Sequence, residues 1–167
     1  MAAASTNPVF IRTAGRGDIA AIQNLLVDTW HHTYDSIYGS DRVSEITREW
    51  HSAEALERRL AMPQSEFIVA DDGRRILGVA FALAHGDHAD LKQLYVTPDA
   101  QRLGIGTLLL QEILESFDEA HALLLEVEAE NNAALSFYRK HGFVEQAHSD
   151  HCNGEPGFST ILLSRAL

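Results

Sequence analysis

Gln101-x-x-Gly104-x-Gly106 lies between a β-prone run ending at Tyr95-Val96-Thr97-Pro98 and the apolar Leu108-Leu109-Leu110, and its residue types allow chemistry by the main chain itself. Pro98 removes an amide donor and stops a strand, while glycine lets another group come close to the backbone. The first turn of a helix presents unpaired N–H groups at the positive end of its dipole, so an anion such as a phosphate can be held there without side chains. A P-loop is excluded, because Gly106-Thr107 has no lysine between glycine and threonine. A dinucleotide fingerprint is disfavoured, because Leu109 stands where the third glycine belongs and a hairpin precedes the strand. What remains is an anion cradle or a tight strand-to-helix turn.

The surrounding elements follow from periodicity. Val9-Phe10-Ile11-Arg12 is β-prone, and Asp18 is an N-cap candidate for a helix whose stripe is Ile19, Ile22, Leu25, Leu26 and Trp30, fading near Tyr34. Ser36–Ser40 reads as a loop, and a polar helical region over 44–60 breaks at His51-Ser52. Residues 66–70 and 76–83 read as strands joined by the Asp72-Gly73 turn, followed by the strand 91–97 and a helix over 104–117. Leu123–Val127 is a buried strand, 131–141 a short helix closed by Gly142, and 143–145 and 158–163 two strands around a turn at 153–157. The order is β, α, α, β, β, β, α, β, α, β, β.

At 167 residues this is one domain spanning the chain, with residues 1–7 expected to be disordered. Forty-six per cent hydrophobic residues, and no apolar run of roughly 20, exclude a membrane-spanning helix. The first residues lack a basic region and an apolar core of the secretory kind, so a cytoplasmic location is expected. Cys152 is alone and permits no internal disulfide. A net charge of −11 opposes nucleic acid and anionic lipid and favours cationic ligands.

Val96-x-Pro98, Gln101-x-x-Gly104-x-Gly106, Asn131-x-x-Ala134-x-x-x-Tyr138 and Gly142-Phe143 together resemble the GNAT superfamily of acyl-CoA-dependent N-acetyltransferases. The resemblance spans Leu91 to Phe143, and the element order extends it over nearly the whole chain. It implies an α/β (α+β) GNAT-like single domain with a mixed, mostly antiparallel, splayed sheet flanked by helices. It also implies acetyl transfer from acetyl-CoA, as cosubstrate, to an amine acceptor.

On that resemblance, the backbone of Gln101, Arg102, Leu103, Gly104, Ile105, Gly106 and Thr107 would cradle the coenzyme A pyrophosphate. Leu94 and Val96 would pair with the pantetheine arm, the Val96 N–H would face the thioester oxygen, and Asn131 would hold the arm or cap its helix. Tyr138 would protonate the departing thiolate, a phenol near pKa 10 and a thiol near 8.5 being close enough for transfer; the alternative is a core aromatic with a polar tip. Asp90, at a strand position where related proteins carry glutamate, would take the amine proton directly or through water, with His88 two residues away. Trp30, His31, Tyr34, Tyr38 and His88 would line the acceptor pocket, with His32 beside them; the alternatives are that Trp30 belongs to the buried stripe and that the others on this helix decorate its end.

A small cationic amine (polyamine, amino sugar or amino acid) fits the acidic balance. A protein N-terminus or lysine is the alternative acceptor, and a non-catalytic acetyl-CoA sensor the rival of another class. A homodimer is common among the proteins the resemblance points to, but no interface signature marks this sequence. His85-x-x-His88-x-Asp90 and His148-x-x-His151-Cys152 have no spacing tied to a particular metal, and no metal is expected.

Overall fold

A computed structural model describes residues 7–152 and 155–167; the expected disorder of the first residues falls largely outside that range, as does the Gly154 turn. Strands β1 (Phe10–Thr13), β2 (Ser65–Asp71), β3 (Ile76–His85), β4 (His88–Val96), β5 (Ala122–Glu128), β6 (Val144–Cys152) and β7 (Glu155–Ala166) form one sheet in the order β1-β2-β3-β4-β5-β7-β6. Every neighbouring pair is antiparallel except β4 and β5, which run parallel. Helices α1 (Ile19–Tyr38), α2 (Ser40–Trp50) and α3 (Ala53–Leu60) precede β2, α4 (Ile105–Ser116) follows β4, and α5 (Asn132–Lys140) follows β5. Among the described residues, no helix is long and apolar enough to cross a membrane.

The sheet separates two apolar layers. On one face Ile105, Leu109, Leu110 and Ile113 of α4 and Leu135 and Tyr138 of α5 pack against Leu91, Leu123, Leu125 and Val127. On the other, Ile22, Leu25 and Leu26 of α1 and Leu56 of α3 cover Phe67, Val69, Val79 and Phe81. A third, aromatic cluster joins Trp30 and Tyr34 of α1 to Val43 and Ile46 of α2 and Phe158 of β7.

Boundaries differ from the sequence reading where turn residues are absorbed into elements. Ser36, Ile37 and Tyr38 complete α1, and the stop comes only at Gly39, whose φ of +83° suits glycine at a helix end. The break before α3 is where expected, with the Ala55 N–H donating to Ser52 Oγ at 3.1 Å. Strands β6 and β7 are much longer than three and six residues, and Pro156 and Gly157 lie within β7.

Gly78 on β3 is what brings α4 against the sheet. A Cβ there would meet Leu109 Cδ1 at 2.9 Å, the Tyr95 carbonyl at 3.1 Å and Ile105 Cγ2 at 3.3 Å. Gly78→Ala is therefore expected to cost about 1–3 kcal/mol by overpacking. Thermal unfolding should show a midpoint lowered by several degrees, and an unchanged midpoint would mean that α4 yields freely.

Candidate active site

Strands β4 and β5 pair only at Ala89↔Leu123, Asp90↔Leu124 and Leu91↔Leu125, then part. Both continue, to Val96 and Glu128, so their facing edges form the sides of a V. Beyond Leu91 the other edge of β4 stays bound to β3, and the Thr97 N–H donates to the Leu77 carbonyl at 2.8 Å. Because successive residues alternate, the N–H groups of Val96 and Leu94 point away from β3, into the opening. Two of the sequence-derived candidates are thus donors without an acceptor among the described residues, on one side of the cleft.

A bulge on the same strand divides the site into two faces. Leu91 pairs with Ala82 and Gln93 with Phe81, leaving Lys92 as the extra residue. Ala89 and Leu91 below it, and Leu94 and Val96 above it, pack on the α4 side. Gln93 instead meets the ring of His51, at 3.3 Å, and Tyr95 packs against the α1 aromatics.

Just past β4, Gln101 (φ −68°, ψ 156°) and Arg102 (φ +64°) have the backbone of a type II turn, in which glycine normally takes Arg102's place. Gly104 caps α4 at φ +84°, and no side chain caps that end. The N–H groups of Gly104, Ile105, Gly106 and Thr107 have no acceptor among the described residues, so four donors converge at the start of the helix. A Cβ on Gly106 would make only ordinary contacts, 3.5 Å to the Phe137 ring and 3.8 Å to Val96 Cγ2, so no internal packing demands glycine there. The Gln101 side chain donates to the Val96 carbonyl at 2.9 Å and ties this loop to the end of the cleft strand, while Arg102 and Leu103 are exposed.

Helix α5 stands beside the opening. Asn131 uses its side-chain oxygen to accept the Ala134 N–H at 3.2 Å, so its capping role is realised, and its side chain also reaches the Tyr34 phenol. Tyr138 is buried, with its ring 5.2 Å from Phe137 and 5.4 Å from Phe143. Burial, with a smaller contribution from nearby Tyr34, pushes its phenol well above the usual value, which keeps the O–H protonated throughout the neutral range.

On the other face a cavity of about 660 Å³ is walled by Trp30, Tyr34 and Tyr38 of α1, Trp50 of α2, Tyr95 of β4 and Phe158 of β7. Trp30 lies edge-on to Trp50 at 5.7 Å, and Tyr38 edge-on to Phe158 at 5.4 Å. Acidic Glu49, Asp90, Glu126 and Glu128 and basic Arg58, Arg59 and Lys92 also line it. Glu128, 7% exposed, accepts a short hydrogen bond from the Tyr38 hydroxyl. Continuing the parallel register places Glu128 level with Leu94 and Tyr95, whereas Asp90 lies at the closed end of the V. At roughly 3.3 Å per residue, Asp90 is about 13 Å from Leu94 and about 20 Å from Val96.

Sequence reasoning missed Glu128, Trp50, Phe158, His51 and Gln93. Glu128 had one signal, since Glu126 and Glu128 alternate with core residues along β5. Of the sequence-derived pocket residues, Trp30, Tyr34 and Tyr38 line the cavity. His31 is turned instead to Asp35 at 2.7 Å and Ser44 at 3.3 Å, linking α1 to α2, and His88 sits at the β3–β4 turn. Cys152 closes β6 and belongs to the cavity wall.

Among the described residues, four of the five buried side-chain polar atoms without a partner belong to this wall: Trp30 Nε1, His51 Nε2, Arg59 Nη1 and Gln93 Oε1. Burial, aided by the charge of Arg59, depresses the His51 imidazole to about 3. A depressed histidine stabilises the fold above its unfolded value of 6.5, and that contribution is lost as the pH falls toward 3. Between pH 6.5 and 4.5 the wild type should lose on the order of 2 kcal/mol more stability than His51→Gln. Denaturant melts at the two pH values check this, and parallel losses would remove His51 from the acid response.

Residues 34–156 match the family model described as an acetyltransferase (GNAT) domain. Spermidine N(1)-acetyltransferase of Thermoplasma acidophilum is 28% identical over 140 residues, covering 80% of this chain and 86% of that protein. N-alpha-acetyltransferase RimI of Mycobacterium tuberculosis is 34% identical over 93 residues, 53% of this chain and 58% of the relative, so the match leaves more than a third of that relative uncovered. The crystal structure of PaiA N-acetyltransferase from Thermoplasma acidophilum in complex with coenzyme A aligns with a TM-score of 0.84 over 96% of this chain and 99% of that one. At 23% identity, that likeness is one of fold.

Proposed function

Because the chain belongs to the GNAT acetyltransferase family, we propose that it moves an acetyl group from acetyl-CoA to the primary amine of a small cationic acceptor, a polyamine, amino sugar or amino acid. One observation carries the choice of acceptor: a buried carboxylate, Glu128, held by Tyr38 in an aromatic-walled cavity where β4 and β5 part. Carboxylate and aromatic faces both favour an ammonium group. The similarity to a spermidine acetyltransferase over 80% of the chain supports the same choice. Similarity to RimI favours a protein N-terminus as the second reading.

The unpaired N–H groups of Gly104–Thr107 fit a pyrophosphate, and the clearance beside Gly106 lets it approach. Acetyl-CoA supplies an activated carbonyl and a thiol leaving group. Leu94 and Val96 offer N–H groups to the pantetheine arm and to the carbonyl oxygen, where negative charge grows during attack. Glu128 and Tyr38 anchor the acceptor's positive charge. The attacking nitrogen must shed a proton, since an amine of pKa near 10 is almost wholly protonated at neutral pH. Water in the cavity passes that proton to a carboxylate; Glu128 is level with the reacting strip, and Asp90 is reached only through a longer relay. Tyr138, although burial makes its phenol a weaker acid than usual, donates its proton within a hydrogen bond to the departing sulfur as the thiolate forms, and recovers one from solvent.

A screen of thiol release from acetyl-CoA against polyamines, amino sugars, amino acids and peptides tests the proposal. Release that depends on a small polycationic amine is expected. Release with peptides alone would shift the acceptor to a protein N-terminus, and binding without release across the panel would make the protein a sensor.

A further inference from the structure

We propose that the turn joining β3 to β4 binds a divalent first-row transition-metal ion of the zinc kind through His85, His88 and Asp90. The turn consists of Gly86, at φ +62°, and Asp87, so His85 and His88 are the last facing pair of the ladder. Facing residues project to the same side, and Asp90, two residues beyond His88, shares it. One ligand atom from each of the three lies within 4.8 Å of those of the others. His85 Nδ1 is 3.5 Å from Asp90 Oδ2, and His88 Nε2 is 3.7 Å from Asp90 Oδ1. Tetrahedral zinc with bonds of roughly 2.0–2.2 Å separates its ligands by roughly 3.3–3.6 Å, close to both histidine–carboxylate distances, and side-chain rotation that converges the two parallel imidazoles on one point closes the third.

The surroundings orient the ligands. His88 Nδ1 lies 3.3 Å from Asp87 Oδ1, and a proton on Nδ1 leaves the Nε2 lone pair directed at Asp90. This is the arrangement in which a carboxylate behind a metal-ligating histidine fixes its tautomer. The two imidazoles are nearly parallel, 12° apart with centroids at 5.2 Å. The His121 N–H donates to the Asp87 carbonyl at 2.8 Å, anchoring the turn to the chain entering β5. Two imidazoles and one carboxylate select nitrogen-preferring ions over magnesium or calcium, and three protein ligands leave a position for water. Asp90 also lines the acceptor cavity, so the ion would sit at its rim. The spacing His85-x-x-His88-x-Asp90 matches no particular metal motif; the hairpin register is what closes it.

Equilibrium dialysis of the whole chain against Zn²⁺, with metal analysis, decides the matter. About one zinc per chain is expected, with affinity for Mg²⁺ lower by at least a hundredfold. His88→Ala or Asp90→Asn should weaken zinc binding at least tenfold, Asp87→Asn by about tenfold or more, and His32→Ala, exposed on α1, should leave it unchanged. These ligands lie at a hairpin end, so their variants should keep the wild-type melting profile without metal. Uptake unaffected by the triad variants, equal affinity for Mg²⁺, or no stoichiometric uptake would overturn the proposal.

Discussion

Tyr138→Phe is expected to slow amine-dependent thiol release by roughly 10²–10⁴-fold, the usual worth of a positioned general acid, while acetyl-CoA binds as before. The variant deletes one hydroxyl and keeps the ring packed between Phe137 and Phe143, so folding should survive. Because burial raises the phenol's pKa, the O–H stays protonated and no fall in rate from Tyr138 is expected as the pH rises through the neutral range. The same sign makes the buried tyrosines a source of alkaline lability. Stability from Tyr34, Tyr95 and Tyr138 is present below the ordinary phenol value of 10.0 and is lost as the pH rises past it. Parallel measurement of turnover and of acetyl-CoA binding separates the roles. Equal turnover in the variant would reduce Tyr138 to a core aromatic.

Glu128→Gln should raise KM for a polyamine at least about 30-fold, since removing one partner of a desolvated charge pair costs roughly 2–5 kcal/mol. Glutamine can still accept from the Tyr38 hydroxyl, so the change is in charge more than in shape. Affinity for acetyl-CoA should hold, because the helix-start donors belong to a different segment, 104–107. A loss shared equally by cosubstrate and amine would indicate that Glu128 merely supports the cleft. An unchanged KM would move the acceptor's anchor to Glu49 or Glu126 on the same wall.

The strand, loop and helix around Gly104 were legible in the sequence because each is marked locally: β-branched residues before Pro98, glycines at the turn, leucines at helical spacing after it. The Asp72-Gly73 hairpin and the Ser52 cap were legible for the same reason. Gly39 and Pro156-Gly157 misled, since a glycine can end a long helix and a proline can sit near the start of a strand. The bulge at Lys92 carries no sequence signal, yet it turns Gln93 and Tyr95 toward the aromatic-walled cavity. The pocket draws Trp50, Glu128 and Phe158 from three distant elements, and no spacing rule joins residues that only the sheet order brings together. The histidine pair is a milder case, its residues visible as a cluster but its geometry set by strand pairing.

Cys152 on the cavity wall gives the mechanism a specific rival, because a thiol beside the amine could carry the acetyl group in a covalent intermediate. Direct attack requires cosubstrate and amine to be bound together. Initial rates of thiol release, measured while acetyl-CoA and the best polyamine are both varied, should give intersecting reciprocal plots and no release without amine. Parallel plots, or an initial burst of thiol before amine is added, would contradict direct transfer in the cleft between β4 and β5.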